Sequence, residues 1–174
     1  MIYAAVMGYG TIGSGVVEVL DRNRDVISAR TGEEIRVKYI LDLREFPGDP
    51  NEDKLIHDFS VIEKDEEIGI VVEAMGGVRP AYDFAKACLL AGKHVVTSNK
   101  ALVAAHGTEL LSIAREKNLN FLFEASAGGG IPIIRPLTEA LAGERILEIS
   151  GILNGTTNYI SRKWTERVRP LRRP

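Results

Sequence analysis

The chain has 174 residues, 45% of them hydrophobic, which is enough to bury one core and too few for a complete two-domain enzyme of ordinary size. No apolar run approaches the ~18 residues of a membrane span, no export signal opens the chain, and a single cysteine, Cys88, excludes an internal disulfide and fits a reducing cytoplasm. The net charge of -2 hides an asymmetry: residues 1–160 hold 16 Lys/Arg against 23 Asp/Glu, while residues 161–174 hold six basic groups against Glu166 alone.

In chain order, Met1 to Gly8 reads as a short buried strand and Ile12 to Val26 as a helix with apolar residues at helical spacing. After the polar interval RTGEE a second strand runs from Ile35 to Asp42, and EFPGDPNED is a loop. Ile68 to Glu73, IGIVVE, suits a strand buried on both faces and leads into Gly76-Gly77. Pro80 to Ala91 is a helix closed by Gly92, and Cys88 lies on its apolar face as a core residue. A strand from His94 follows, then a helix from about Gly107 to Asn118, then the strand NFLFEA. Strands alternating with helices predict an α/β fold: a Rossmann-type parallel sheet with helices on both faces, over residues 1–125.

From Ser126 the texture changes. SAGGGIPIIRP is a glycine-rich loop entering a helix near Pro132 to Ala142, and RILEISGILNGTTNYI reads as a strand, a turn and the start of a helix. Residues 126–160 thus look like the beginning of a second, α+β domain. The segment 161–174, with two prolines and dense positive charge, is expected to be disordered. Such a tail could touch phosphates, but the plainer reading is a chain end without its proper continuation, and neither nucleic acid nor a membrane is expected as partner.

Gly8-Tyr9-Gly10-Thr11-Ile12-Gly13 is G-x-G-x-x-G between a strand and a helix. Gly8 permits the tight turn, Gly10 lets backbone approach a pyrophosphate, and Gly13 lets helix and strand pack closely. The second strand ends at Asp42, suited to a ribose 2′-hydroxyl, with Arg44 beyond it suited to a 2′-phosphate, so NAD and NADP both stay open. Lys100 follows the His94 strand and reaches the edge where ligands of parallel sheets sit; it is either a surface lysine beginning a helix or a proton donor to a carbonyl that receives hydride. Glu124, before a glycine loop, is either a cap or a cation ligand. His57, His94 and His106 have no metal-like spacing and receive no role.

VMGYGTIGSGV, VVEAMGG, AGKHVVTSNKALVA, FEASAGGGIPIIRPL and GILNGTTNYI together resemble the homoserine dehydrogenase family over residues 1 to about 160. The resemblance implies an oxidoreductase that interconverts L-aspartate 4-semialdehyde and L-homoserine with NADPH or NADH, toward threonine, methionine and isoleucine. It implies Thr11 and Ile12 against the cofactor phosphates, Lys100 at nicotinamide and substrate, and Gly155 bordering the cofactor. It also implies a sodium ion held by Glu124 with the carbonyls of Ala127, Gly129 and Ile131, and a homo-oligomeric full-length enzyme. Two departures stand out: Arg79 occupies a position where the family tends to carry glutamate, and the family's later segment, with a second lysine, does not follow Ile160. The expectation is therefore a chain without turnover of its own. The alternatives are a nucleotide-binding fragment or another NAD(P)-dependent oxidoreductase.

Overall fold

The computed structural model describes residues 1–151 and 155–168, with side chains in the last stretch at 158–164 only. Six strands form one parallel sheet: β1 (Ile2–Met7), β2 (Ile35–Leu41), β3 (Leu55–Ile56), β4 (Ile68–Glu73), β5 (His94–Thr97) and β6 (Phe121–Leu122). Their order is β3-β2-β1-β4-β5-β6. The chain leaves β1 in one direction and returns on its other side at β4, so a crevice opens at the carboxyl ends of these two neighbours.

The helices are α1 (Thr11–Arg22), α2 (Arg24–Thr31), α3 (Ser60–Lys64), α4 (Ala81–Leu90), α5 (Lys100–Glu116), α6 (Glu124–Gly128) and α7 (Gly155–Val168). A 3-10 turn covers Glu52–Lys54 and a π-helical turn Pro136–Ala140. Period-2 alternation sends successive side chains of β1 to opposite faces. Ala5 and Met7 join Val71, Val95 and Phe121 under α4 and α5, whereas Val6 joins Val37, Ile40 and Val17 under α1.

The expected α/β fold is present, with differences at element boundaries. The first helix stops at Arg22 because Asn23 leaves helical geometry (φ -103, ψ 20), and a second helix, with no buried residue, runs on to Thr31. Its end is set by Gly32 at φ +79, a left-handed conformation that suits glycine. Two short elements that pattern reading does not mark are β3, which forms one edge of the sheet, and α3, which packs against α4 and buries Ile62 fully. The fifth helix begins at Lys100 rather than near Gly107, since Asn99 caps it by accepting a hydrogen bond from Leu102 N at 3.1 Å. The last strand ends at Leu122, and Glu124 opens α6 instead of closing a strand.

Beyond Gly128 the expectations hold less well. Ile134 to Ala140 is helical, but residues 145–151 form no strand, and all of residues 138–151 are exposed. A strand needs a neighbour to hydrogen-bond, and none among the described residues runs beside this one. The stretch expected to be disordered from Ser161 is helical as far as Val168. No helix among the described residues is long and apolar enough to cross a membrane.

Candidate functional site

The crevice is built from three strand ends. Gly8 N donates to Leu41 O at 2.8 Å and Ala74 N to Met7 O at 2.8 Å, so the turn after β1 is pinned to β2 on one side and β4 on the other. Gly8 sits at φ +93, and a Cβ there would lie 2.9 Å from the Ala74 carbonyl oxygen. At Gly13 a Cβ would fall 1.8 Å from the Gly8 carbonyl oxygen, which leaves no room for any side chain. A Cβ at Gly10 would meet nothing within 4 Å. Two glycines are thus required by the protein itself, and the middle one faces empty space.

No side chain caps the start of α1. Its first N–H groups carry the positive end of the helix dipole toward this space, and Thr11 and Ile12, both exposed, flank it. A cavity of about 540 Å³ adjoins the turn, bounded by Gly8, Gly10, Asp42, Arg44 and His57 on one side and by Phe59, Met75, Pro80 and Phe84 on the other. Phe59 and Phe84 are stacked with centroids 4.1 Å apart, giving this side a flat apolar wall. The residues fit a dinucleotide: donors and open backbone for phosphates, a slot for a planar base, and polar groups at the strand end between them.

Asp42 and Arg44 act on each other. Each carboxylate oxygen of Asp42 accepts two hydrogen bonds: Oδ1 from Arg44 N and Nε at 3.0 Å each, Oδ2 from Tyr9 N at 2.7 Å and from the Arg44 guanidinium at 3.0 Å. The Arg44 guanidinium, with these N–H donors, holds the carboxyl well below the usual carboxylate range. The Arg44 guanidinium also stacks over Phe46, 5.0 Å from the ring centroid. Tyr9 is buried, packs edge-on against Phe46, and donates its hydroxyl to Asp49 at 3.1 Å, anchoring the loop that follows β2.

On the other side of the sheet centre lies a buried polar knot that pattern reading misses. Glu73, fully buried at the end of β4, accepts hydrogen bonds from the Thr97 hydroxyl and from Met75 N. Desolvation pushes its carboxyl upward, against the pull of those bonds. Asn99 N donates to Thr97 Oγ1 at 3.0 Å, and Asn99 Nδ2 donates to Gly77 O at 2.6 Å. The ends of β4 and β5, the Gly76-Gly77 turn and the start of α5 are therefore one unit. The only sequence signal was an acid closing an apolar strand. Lys100 is the first residue of α5, exposed, with no ion pair among the described residues, and it does not border the cavity itself. Its position is the start of a helix at the strand edge.

Glu124 is a cap. Its carboxylate accepts from Ile133 N, from Ile134 N at 2.8 Å and from Arg135 N at 2.8 Å, and these N–H bonds lower its pKa. The three N–H donors come from the backbone of Ile133 to Arg135 and satisfy most of the carboxylate's acceptor sites, the arrangement of a cap. Gly129 stands at φ +62 and Ile131 is exposed, while Ala127 lies inside α6. No cluster of three acidic, histidine or cysteine side chains suited to a metal occurs among the described residues. Gly155 opens α7, and its surroundings lie outside the described residues. Cys88 is fully buried and burial pushes its thiol up to about 12, in keeping with a core role. The departure at Arg79 is absorbed locally, by an ion pair with Asp83 at 2.7 Å.

Comparison with known proteins agrees with this geometry. Residues 8–124 match the family described as homoserine dehydrogenase, NAD binding domain, and residues 132–172 match homoserine dehydrogenase. The second match runs past Ile160, where the quoted motifs stop. The homoserine dehydrogenase of Pseudomonas aeruginosa is 39% identical over 169 residues, 97% of this chain and 39% of that protein; that of Helicobacter pylori is 44% identical over 157 residues, 89% of this chain and 36% of that protein. A homoserine dehydrogenase structure from Thiobacillus denitrificans superposes with a TM-score of 0.86 at 39% identity, covering 95% of this chain and 39% of that one. A hyperthermophilic archaeal homoserine dehydrogenase in complex with NADPH gives 0.79 at 26% identity, over 95% of this chain and 56% of that one. This chain spans under two fifths of the length of the curated relatives named here. With its dinucleotide crevice and these matches over most of its length, the chain belongs to the homoserine dehydrogenase family.

Proposed function

We propose that this chain binds NADP or NAD at the β1 turn and is the coenzyme-binding portion of an enzyme that interconverts L-aspartate 4-semialdehyde and L-homoserine, a step toward threonine, methionine and isoleucine. The observation that carries the reading is the uncapped start of α1 beside Gly10, whose missing side chain leaves the backbone open to a pyrophosphate. Gly8 and Gly13 shape the turn, and Thr11 and Ile12 flank the phosphates. The coenzyme, when bound, supplies or takes up hydride. Lys100 supplies the ammonium proton for the carbonyl oxygen that reduction turns into an alcohol, and the Glu73–Thr97–Asn99 knot fixes the helix end that carries it.

For the coenzyme, the reading favours NADP. Asp42 spends its acceptor capacity on Tyr9 and Arg44, so a ribose 2′-hydroxyl finds none left. Arg44 keeps unused guanidinium donors for a 2′-phosphate. Residues 1–125 serve as the coenzyme domain and 126–160 as the opening of a substrate domain, with Gly155 bordering the cofactor. A sodium ion at Glu124 and the carbonyls of Ala127, Gly129 and Ile131 rests on the resemblance; it would share the carboxylate with the N–H groups of Ile133, Ile134 and Arg135. Homo-oligomeric assembly rests on the resemblance, and a cytoplasmic location on the single cysteine, Cys88, which fits a reducing compartment.

Titrating NADPH and NADH against the purified chain, alongside an assay of homoserine oxidation, tests the reading. Binding of coenzyme is expected; homoserine oxidation needs substrate and coenzyme held in register, where errors of ~1 Å can cost ~100-fold. Arg44→Ala is expected to weaken NADPH by roughly tenfold, the loss of a charge-assisted contact, and to strengthen NADH by freeing acceptor sites on Asp42 for the ribose 2′-hydroxyl. No binding of either coenzyme would overturn the proposal.

A further inference from the structure

His57, to which the sequence pattern gives no role, lines the cavity beside Asp42 and Arg44. Its Nδ1 lies 2.6 Å from the Asp42 carbonyl oxygen, and its Nε2 lies 2.9 Å from Glu45 Oε1. Both partners are acceptors that have no proton to give. A neutral imidazole carries one N–H and satisfies one of them; making both contacts requires a proton on each nitrogen. The geometry therefore selects the imidazolium. In agreement, the bond to the Asp42 carbonyl, with help from the Glu45 carboxylate, raises the ring's pKa above the ordinary histidine value against some desolvation.

We propose that His57 is a second cation beside Arg44 at the 2′ position of the adenosine ribose, and that it makes the preference for a 2′-phosphorylated coenzyme depend on pH. The proposal rests on the reading that this cavity holds the adenosine end of the coenzyme. The charges that face the ring are few. Asp42 and Arg44 pair with each other, and Glu45 pairs with His57. Asp58, next in the chain, turns its carboxylate to Ser60. Across the cavity, Phe59, Pro80 and Phe84 are uncharged, and Arg79 is spent on Asp83.

With His57 protonated, Asp42, Arg44, Glu45, Asp58 and His57 together carry one negative charge; with it neutral, they carry two. A phosphate monoester carries roughly 1.5 to 2 negative charges near neutral pH, so it meets weaker repulsion from this rim in the first case than in the second. A coenzyme that ends in a 2′-hydroxyl is indifferent. The sign follows from linkage: the phosphate binds the protonated form better, so its advantage is complete below the free ring's pKa and fades as pH rises through it. Because the ring is raised, that fading lies above the ordinary histidine range.

Calorimetric titration of the full chain with NADP⁺ and NAD⁺ from about pH 6 to about pH 9 tests this, bracketing the range in which a raised histidine titrates. The wild-type ratio of NADP⁺ to NAD⁺ affinity should fall by about threefold to fivefold across that range, the scale of an exposed charge pair. His57→Gln should show the low ratio throughout, and His57→Lys should hold the high ratio to the alkaline end. The phosphate's own ionisation appears equally in all three proteins and cancels between them. A wild-type profile that parallels His57→Gln, or a lysine variant that loses NADP⁺ with pH as wild type does, would overturn the role of His57. Failure of every protein to bind either coenzyme would instead remove the adenosine site, and this inference with it.

Discussion

At the scale of single residues, the glycines of the β1 turn separate what folding requires from what a ligand requires. Gly13 has the Gly8 carbonyl 1.8 Å from where its Cβ would be, so Gly13→Ala must push strand and helix apart, at a cost of about 3 kcal/mol, the upper end of overpacking. Gly10 has an unstrained backbone (φ -84) and no neighbour within 4 Å of the added carbon. Gly10→Ala is therefore expected to unfold within about 0.5 kcal/mol of wild type in urea. It should nonetheless lose roughly tenfold or more in coenzyme affinity, the effect of ~1.4 kcal/mol of lost contact where the methyl meets the pyrophosphate. Undiminished binding by this variant would place the ligand elsewhere. These glycines were legible in the sequence because the chemistry of a tight turn is local. Glu73, Tyr9 and His57 were not, since their partners Thr97, Asp49 and the Asp42 carbonyl lie 24, 40 and 15 residues away and only the folded chain brings them together.

At the scale of elements, strands were easier to read than helix starts. The runs Ile68–Glu73 and His94–Thr97 announce buried strands by composition alone. The start of α5 depends on one side chain, Asn99, which caps the helix with its oxygen and ties down Gly77 with its nitrogen. Removing both bonds in Asn99→Ala should cost about 1–2 kcal/mol. Asn99→Asp keeps the capping oxygen, loses the donor to Gly77, and sets a second carboxylate into the knot that already holds buried Glu73. Glu73 binds its proton more tightly in the folded chain than in the unfolded one. Its protonation therefore favours folding at low pH, and that contribution is lost as pH rises through the folded value. A neighbouring aspartate strengthens the effect. Urea unfolding should find Asn99→Asp clearly weaker than wild type near neutral pH and closer to it in mild acid; a pH-independent difference would show that the two carboxylates do not sense each other.

At the scale of the whole molecule, the sheet and its two cores account for residues up to Ser126, and little beyond them is covered. Ile131, Leu141, Ile146, Leu147, Ile149, Tyr159, Ile160 and Trp164 are 43% to 85% exposed, although their pattern is that of residues meant to be buried. Apolar periodicity tells which face an element buries; it does not say what covers that face, which is why RILEISG, residues 145–151, reads as part of a strand yet forms none. Local opening follows contact and burial, so backbone in this region should reach a protease long before the sheet does. Trypsin is expected to cut first at Arg135 and Arg145, both exposed, and to leave a resistant core containing β1 to β6. Since every residue lining the crevice lies before Lys100, the trimmed core should still bind coenzyme, weakened only by the loss of the proposed contact at Gly155. Added coenzyme should slow cleavage at Arg44 and leave the rate at Arg145 unchanged. Cleavage at Lys93, whose amine is buried against the Asp65 carbonyl at 2.7 Å, ahead of Arg145 would mean that the sheet is not the stable unit.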